Sequence, residues 1–529
     1  MIPEQKSKSS QTTALAITLF VFAIIVGLYY SLRYGGWAME DDTSSQTTAA
    51  IGTIESGLLD NTSSYNNGYG YAAELAVLQM VSELRVQDIQ LGSSLWVFVL
   101  ALVAFITYRE YAESAAVAAL GVLFLFLQPD FLFYIVRGGH EKYTWTCALL
   151  MLFLLRRSYQ HINKPVKLLI FVGLFYITYW AFLANNVYFA ATFMGAILLS
   201  FIGGWALNRL GARKRPEEIK KTRTLQRLII ISLACFILVF IFISYAYQPA
   251  LQFYSIFSSL SDKISILLLG TQPAGAPQSY QVFSVAWRSQ TAYLMLTGLQ
   301  WLIGIISLVA WGIGLRGFSK LDQKHWLMWL MYSAFGVILI IGIVADFAGF
   351  MNTNLQLRMF TPFALFSSPL AAGLVAQGVQ ALAIQRRRLV VMAYAAVVLV
   401  VIFGAAVVVL KVTNDPIVGN QWLFYTPAEL APASWMDKNG IQRQQVWIDT
   451  WTHLPTAYYF WQGFRPLIPS QYLWGQLQST APYTLISELT RLRANRSGIS
   501  LPETDDQNRV YDNGQVQIYH RLALTPYQR

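Results

Sequence analysis

Residues 14–42 read ALAITLFVFAIIVGLYYSLRYGGWAMEDD. The first part, Ala14 to Leu32, is an apolar run close to the ~20 residues a helix needs to cross the hydrocarbon core of a bilayer. Lys6 and Lys8 precede it as the bases of a secretory signal would. The run is longer than a typical signal core, however, and no small-residue cleavage site stands out after it, so it reads as a retained first span. Within ten residues of its end stand three consecutive carboxylates, Glu40, Asp41 and Asp42. Acids at a membrane surface need water, a cation or a chemical task.

Working outward, runs of the same kind recur near 13–33, 92–108, 114–135, 143–155, 167–184, 187–207, 227–247, 291–315, 326–346, 359–384 and 389–410. They predict a membrane all-α protein with about eleven transmembrane helices; the fourth run is short and starts at the edge of the loop before it. The interval 247–290 holds apolar pieces such as Ile264–Leu269, but Pro249, Pro273, Pro277, Gly270 and Gly275 point to interfacial or re-entrant segments there. The composition agrees: 55% of residues are apolar and only 12% are charged, against roughly 25% in a soluble domain. Cys147 and Cys235 both fall in apolar segments, so no disulfide framework is expected.

The net charge of +11 invites a nucleic-acid reading until the bases are located. With the N-terminus inside, the cytoplasmic segments carry 21 of the 38 Lys and Arg, the outer loops 7, and the tail after the last span 10. The richest loop, Arg209–Arg227, and the Arg386–Arg388 run both fall inside, as the positive-inside rule requires. The charge is a topology signal, and no nucleic-acid partner is expected. The chain is placed in a plasma membrane, most simply a prokaryotic one, with its N-terminus cytoplasmic and its C-terminal domain extracytoplasmic.

The domain reading is a polytopic part, 1–410, with a large first outer loop over 35–90, and a small extracytoplasmic α/β domain over 411–529. Ala72, Leu75, Leu78, Gln79 and Ser82 recur near helical spacing in the first loop, which predicts an amphipathic helix lying on the membrane. In the tail, Thr426-Pro427-Ala428-Glu429 has the form of a capping box with proline at the first helical position, and Gly440 marks a stop. Gln444–Asp449 reads as a strand. Val510–Asp512, Asn513-Gly514 and Gln515–Tyr519 read as a hairpin with a type I′ turn. Trp447, Trp451, Tyr458, Tyr459, Trp461, Phe464, Tyr472 and Trp474 form a dense aromatic set, better suited to packing or membrane docking than to sugar stacking.

The span interiors carry essentially no ionisable residues, which disfavours an ion-coupled transporter, and no internal repeat of the transporter kind is visible. Chemistry is therefore sought at the outer surface, where three groups stand out. Asp41 and Asp42 open the first loop; they suit a general base, or equally the charged start of a helix over the residues that follow. Arg137-Gly138-Gly139-His140-Glu141-Lys142 lies before the fourth span. In it His140 and Glu141, together with a first-loop carboxylate, are candidate ligands for a divalent cation, Mg or Mn, while Arg137 or Lys142 is a candidate for holding a phosphate; snorkelling interfacial bases are the plainer reading. Arg358 is the single base of its outer loop and can grip the phosphate of a lipid-linked substrate, cap helix carbonyls, or contact headgroups.

Together these features resemble the GT-C superfamily of polytopic glycosyltransferases, which use polyprenyl-phosphate-linked sugars. Asp41-Asp42 matches in position and type the acidic residues early in that superfamily's first outer loop, and Glu141 matches its second acidic motif before span four. A glycine ending the next helix follows the acid about fifteen residues on in several members; Asp42 and Gly57 fit that spacing, which favours Asp42 slightly over Asp41. More narrowly, the loop with His140-Glu141-Lys142, the Arg358-Met359-Phe360 segment and the closing Val510–Tyr519 look like those of little-characterised prokaryotic members, distantly similar to oligosaccharyltransferases and protein mannosyltransferases. Two departures stand. The tail has no Trp-Trp-Asp motif, so transfer to protein asparagine is not supported, and Asp-Asp replaces the Asp-Glu pair of many O-mannosyl and lipid A-type transferases. The resemblance implies an inverting single displacement on a polyprenyl-phosphate sugar with a first-loop Asp as base, and a glycan, lipid or protein as acceptor. The rival readings are a lipid-carrier or polysaccharide handling protein of polymerase, ligase or flippase type, and a membrane scaffold that binds partners through its C-terminal domain.

Overall fold

The computed structural model describes residues 3–34, 41–59, 67–211, 216–246, 290–316, 323–347, 355–385, 387–413, 426–439, 446–447, 482–488, 490–491, 495, 501 and 503–521. Helices dominate it. The first, α1 (Pro3–Tyr34), is followed by three short helices, α2 (Asp41–Ser56), α3 (Gly70–Ser82) and α4 (Val86–Gly92), and by a 3-10 turn at Ser93–Trp96. Then come α5 (Val97–Tyr111), α6 (Ala115–Phe126), α7 (Pro129–Val136), α8 (Glu141–Gln160), α9 (Pro165–Asn185), α10 (Val187–Gly211) and α11 (Pro216–Ile241). The series closes with α12 (Gln290–Arg316), α13 (Gln323–Phe347), α14 (Leu355–Gln385), α15 (Arg387–Lys411) and, beyond the apolar helices, α16 (Pro427–Lys438).

Among the described residues nine helices are long and apolar enough to cross a membrane. They answer the first and second predicted spans and the fifth to the eleventh. The predicted third span is a bent pair: α6 and α7 meet at 77°. The cause is local. Gln128 is extended ahead of Pro129, which opens α7 at a position where a missing N–H costs nothing. The predicted fourth span is α8, 20 residues long yet interrupted near its end by Arg156 and Arg157. It tolerates them because it is buried along nearly its whole length between α5 and α9.

Where two helices meet in an apolar medium, hydrophobicity does not hold them together, and close packing with interhelical hydrogen bonds does. Tyr108 donates to the Leu365 carbonyl at 2.8 Å, Thr107 to Leu149 at 3.0 Å and Tyr111 to Leu152 at 3.1 Å, so α5 is tied to both α8 and α14. Phe193 of α10 packs on Phe182, Phe335 and Phe366, joining α9, α13 and α14 in one core. The side of the bundle away from these contacts presents Ile, Leu and Val, as lipid contact requires.

The first loop is helical, but α3 is turned differently from expectation. Tyr71, Ala72, Leu75 and Ala76 are its buried stripe, while Leu78 and Ser82 face outward together with Val77, Met80 and Val81. The reason is Tyr71, whose hydroxyl reaches the loop before α8 and donates to the Gly138 carbonyl at 2.8 Å. The start of this segment is clamped: the Val187 amide donates to the Asn67 carbonyl at 2.8 Å, and a Cβ on Gly68 would lie 2.3 Å from the Ala184 carbonyl oxygen.

The C-terminal part contains a four-stranded sheet, β1 (Val446–Trp447), β2 (Tyr483–Ser487), β3 (Asn508–Asp512) and β4 (Val516–His520), in the order β1-β2-β4-β3. β1 pairs with β2 in parallel; the other pairs are antiparallel. The capping box forms as expected, with Glu429 accepting from the Thr426 amide at 2.8 Å and Thr426 from the Glu429 amide at 3.3 Å. The hairpin forms too, but its two central residues are Gly514 and Gln515, with Gly514 at φ +86°. Glycine at the first central position is the type II′ arrangement, not the type I′ expected. Asn513 is used otherwise: its Oδ1 accepts from the Gln515 and Val516 amides, holding the strand end. Of the aromatic set only Trp447 lies within the described residues, buried in β1.

Substituting Gly68 by Val should lower the thermal midpoint of the detergent-solubilised protein by several degrees, since a Cβ there must displace backbone, a strain of about 1–3 kcal/mol. Gly173→Ala, at a helical glycine with open space around it, is the matched control and should leave the midpoint unchanged or raise it slightly.

Candidate active site

The loop 137–142 lies between α7 and α8, and all of its charged side chains are buried. Burying one unpaired charge costs several kcal/mol, so the arrangement of partners decides whether the loop holds. Arg137 and Glu141, four residues apart, form an ion pair. The guanidinium also lies over the Tyr134 ring, 4.8 Å from its centre. Gly139 makes room for this pair: a Cβ there would sit 2.5 Å from the Glu141 Oε2. The glycine serves close approach, since its φ is not in the left-handed region.

His140 caps α8 and is fixed by Asn186 at the α9–α10 junction. Asn186 Oδ1 accepts from the Phe189 amide at 3.0 Å, so its Nδ2 is the atom turned to His140 Nε2, also at 3.0 Å. His140 therefore accepts at Nε2 and carries its proton on Nδ1 when neutral, 3.9 Å from Glu141 Oε2. The two predicted metal ligands are thus each engaged with a protein partner, His140 with Asn186 and Glu141 with Arg137. Among the described residues no three His, Cys, Asp or Glu side chains come together to hold a metal ion. A cation held by His140 and Glu141 would have to displace these partners.

Lys142, at the first turn of α8 and ahead of its apolar stretch, is fully buried. Its Nζ donates to the Arg137 carbonyl at 2.9 Å and lies 5.8 and 5.9 Å from the ring centres of Tyr71 and Tyr143. Burial pulls its pKa down to about 7; the nearby Glu74 carboxylate opposes that fall and the Arg137 charge adds to it. Glu74, on α3, is in turn pushed up by burial. Sequence reading missed Glu74, Tyr71 and Asn186. The signal available for Glu74 was its place one turn before the exposed end of α3, with nothing local to say which base it would face.

The first-loop acids are connected to this loop through backbone. Asp41 and Asp42 open α2, so the expectation that they stand at a helix start is met; their side chains lie outside what the structure describes. The next residue, Thr43, receives Gln90 Nε2 on its carbonyl at 3.2 Å, and the Thr47 hydroxyl donates to Gln90 Oε1 at 2.9 Å. Gln90 lies on α4; three residues on, Ser93 Oγ is 3.4 Å from the Tyr71 hydroxyl, which donates to the Gly138 carbonyl at 2.8 Å. Trp96 ties the same turn to α8 by donating to Thr146 at 3.2 Å. α2 ends at Ser56 with Gly57 at φ +68°, the helix-ending glycine that the family spacing implied.

Arg358 stands apart in kind. It lies in the first turn of α14 with an exposed side chain, and among the described residues no hydrogen bond or ion pair engages it. Of the three predicted phosphate-binding bases it is the one not committed to a protein group. A further pair not anticipated, Asp130 and Lys411, joins the start of α7 to the end of α15 at 3.6 Å, with Lys411 Nζ 5.3 Å from the Phe133 ring centre.

No family model matches the sequence, and no curated protein matches it. Solved structures do resemble its fold. The archaeal oligosaccharyltransferase AglB from Archaeoglobus fulgidus, in complex with an inhibitory peptide and a dolichol-phosphate, aligns over 97% of this chain and 74% of its own length, with a TM-score of 0.58 and 11% identity. The apo form of the A. fulgidus oligosaccharyltransferase (TM-score 0.49, 11% identity, 80% of this chain and 58% of that one) and apo ArnT from Cupriavidus metallidurans (0.36, 11%, 98% of each) also align, and nothing rests on them. The chain thus shares the fold of this oligosaccharyltransferase.

Two measurements test this site. Glu141→Gln leaves the Arg137 guanidinium buried against a neutral group and should cost about 3–5 kcal/mol of stability, whereas Arg137→Met with Glu141→Leu should recover most of it in denaturant titrations. The Lys142 ammonium is depressed in the folded state, so between its folded value of about 7 and its unfolded value the unfolded chain binds more protons. Stability should therefore rise with pH across that window, by up to ~1.4 kcal/mol per unit, and Lys142→Met should remove that component.

Proposed function

We propose that the chain is a membrane glycosyltransferase that moves a sugar from a polyprenyl-phosphate-linked donor to a glycan, lipid or protein acceptor. The observation that carries this reading is the seating of α2, which starts with Asp41 and Asp42, on the buried loop 137–142 through Gln90, Ser93 and Tyr71. The fold likeness to an oligosaccharyltransferase solved with dolichol-phosphate supports the substrate class. In this reading the bias of Lys and Arg orients this end of the bundle away from the cytoplasm, with 411–529 as an extracytoplasmic domain.

In this mechanism Asp42, or Asp41 beside it, takes the proton of an acceptor hydroxyl as that oxygen attacks the anomeric carbon. The new C–O bond forms on one face while the bond to the phosphate oxygen breaks on the other, so the configuration inverts. The bonding electron pair leaves with the phosphate, and no strong acid is required. Arg358, exposed and uncommitted, makes the first contact with that phosphate. Arg137 reaches it only by exchanging Glu141 for the phosphate, and Lys142 acts through its charge and by holding the loop. A divalent cation, Mg or Mn, at Glu141 and His140 would require the same release of Glu141.

The test is transfer from a panel of radiolabelled polyprenyl-phosphate sugars in purified membranes. Wild type should yield product, and Asp41→Asn/Asp42→Asn should reduce it by at least ~10²-fold with expression intact. Arg358→Gln should raise KM for the donor more than it lowers kcat. Absence of product from every donor, with intact protein and a broad acceptor pool, would favour lipid-carrier handling.

A further inference from the structure

At the end of the bundle opposite loop 137–142, the last turns of α5 and α8 and the first turn of α9 gather bases: Arg109, Arg156, Arg157, His161, Lys164 and Lys167. Five of these have ordinary surroundings. Arg109, Lys164 and Lys167 are exposed, His161 stacks on Phe171, and Arg157 pairs with Glu110 at 2.6 Å. Arg156 differs. It is only 5% exposed, and among the described residues neither its Nε nor its Nη1 has a hydrogen-bond partner.

Among the described residues no carboxylate is left to pair with it. The one carboxylate on this turn of α5, Glu110, is used at both oxygens, Oε1 by Arg157 and Oε2 by Gln160 at 3.0 Å. Glu113 faces His325 at 3.9 Å. The Tyr159 ring lies 5.7 Å from the guanidinium carbon, and the Tyr111 hydroxyl is spent on the Leu152 carbonyl. An aromatic face offsets about 2 kcal/mol at best when desolvated, less than a buried, unpaired guanidinium costs. Lysine can escape such a position by losing its proton, as Lys142 does near pH 7; arginine cannot. A fixed charge with two open N–H donors, surrounded by a basic turn, calls for an anion from outside the chain.

We propose that Arg156 is the floor of a binding site for a phosphate-class anion between α5, α8 and α9. The guanidinium edge matches two phosphate oxygens, and the surrounding Arg157, Lys164 and Lys167 raise the local anion concentration. Either a lipid headgroup or a free phosphate ion can supply that group. The site lies a bundle length from the proposed transfer chemistry and is independent of it.

The test uses full-length protein, exchanged into neutral detergent until phosphorus analysis shows no residual lipid. Thermal midpoints are then followed against inorganic phosphate, against short-chain phosphatidylglycerol and against phosphatidylcholine. A saturable rise with phosphatidylglycerol alone identifies a lipid headgroup; a rise with inorganic phosphate as well identifies the free anion. In Arg156→Gln the half-saturating concentration should rise at least roughly tenfold, about 1.4 kcal/mol, while Lys164→Gln/Lys167→Gln should shift it less. Equal response of wild type to phosphatidylcholine and phosphatidylglycerol, or an unchanged response in Arg156→Gln, overturns the proposal. Should Arg156→Gln not fold, the three wild-type titrations decide alone: no anion-specific rise means that the guanidinium is simply buried.

Discussion

The burial of four ionisable groups within six residues, Arg137 to Lys142, is the constraint on which the rest of this end of the molecule depends. At a membrane surface such a loop would ordinarily send its charges to water. Here it is roofed by α2, α3 and α4, so every charge must find a partner inside the protein: Glu141 for Arg137, Asn186 for His140, the Arg137 carbonyl for Lys142. The roof is in turn held by the loop, where Tyr71 has its acceptor at Gly138, and by the α9–α10 junction, where Asn67 has its donor at Val187. The first loop and the loop before α8 therefore form one unit, although some 70 residues separate them.

The same unit explains how a carboxylate-bearing helix outside the main bundle core is positioned, with Ala50 packed on Tyr71, Leu75 and Tyr143. α2 is short and poorly apolar, and in isolation it would be marginal. Its attachment runs through the Thr43 carbonyl and the Thr47 side chain to Gln90, a side chain able to donate and accept at once. Acids at the start of a helix gain from its dipole, which favours their ionised form.

The two ends of the bundle handle buried bases in opposite ways. Near the first loop, a lysine with a neutral escape sits among tyrosines and a half-buried Glu74. At the far end an arginine without that escape lies among tyrosines, with the nearby carboxylate already taken by its neighbour Arg157. A positive-inside count treats Arg156 and Arg157 alike; their partners distinguish them.

What the sequence by itself determined was what depends on local pattern and on the bilayer. Eleven apolar runs appear as nine spans, a bent pair and one buried helix, because an unsatisfied backbone in lipid leaves helix as the available solution. The capping box at Thr426, the helix end at Gly57 and the hairpin around Gly514 are also local, and were legible apart from the turn type. The loop 137–142 stands out in the sequence by its density of charge. Its internal pairing does not, because Arg137 and Lys142 look equally able to bind a phosphate until Glu141 and a backbone carbonyl are seen to hold them. Asn186, Tyr71 and Arg156 carried no signal, and Glu74 none that named its partner, since each has a role set by a partner, or by the lack of one, across a helix interface. Which charges are paired is decided by tertiary packing, since the low-dielectric interior makes each unmatched charge costly and the matching groups come from distant parts of the chain.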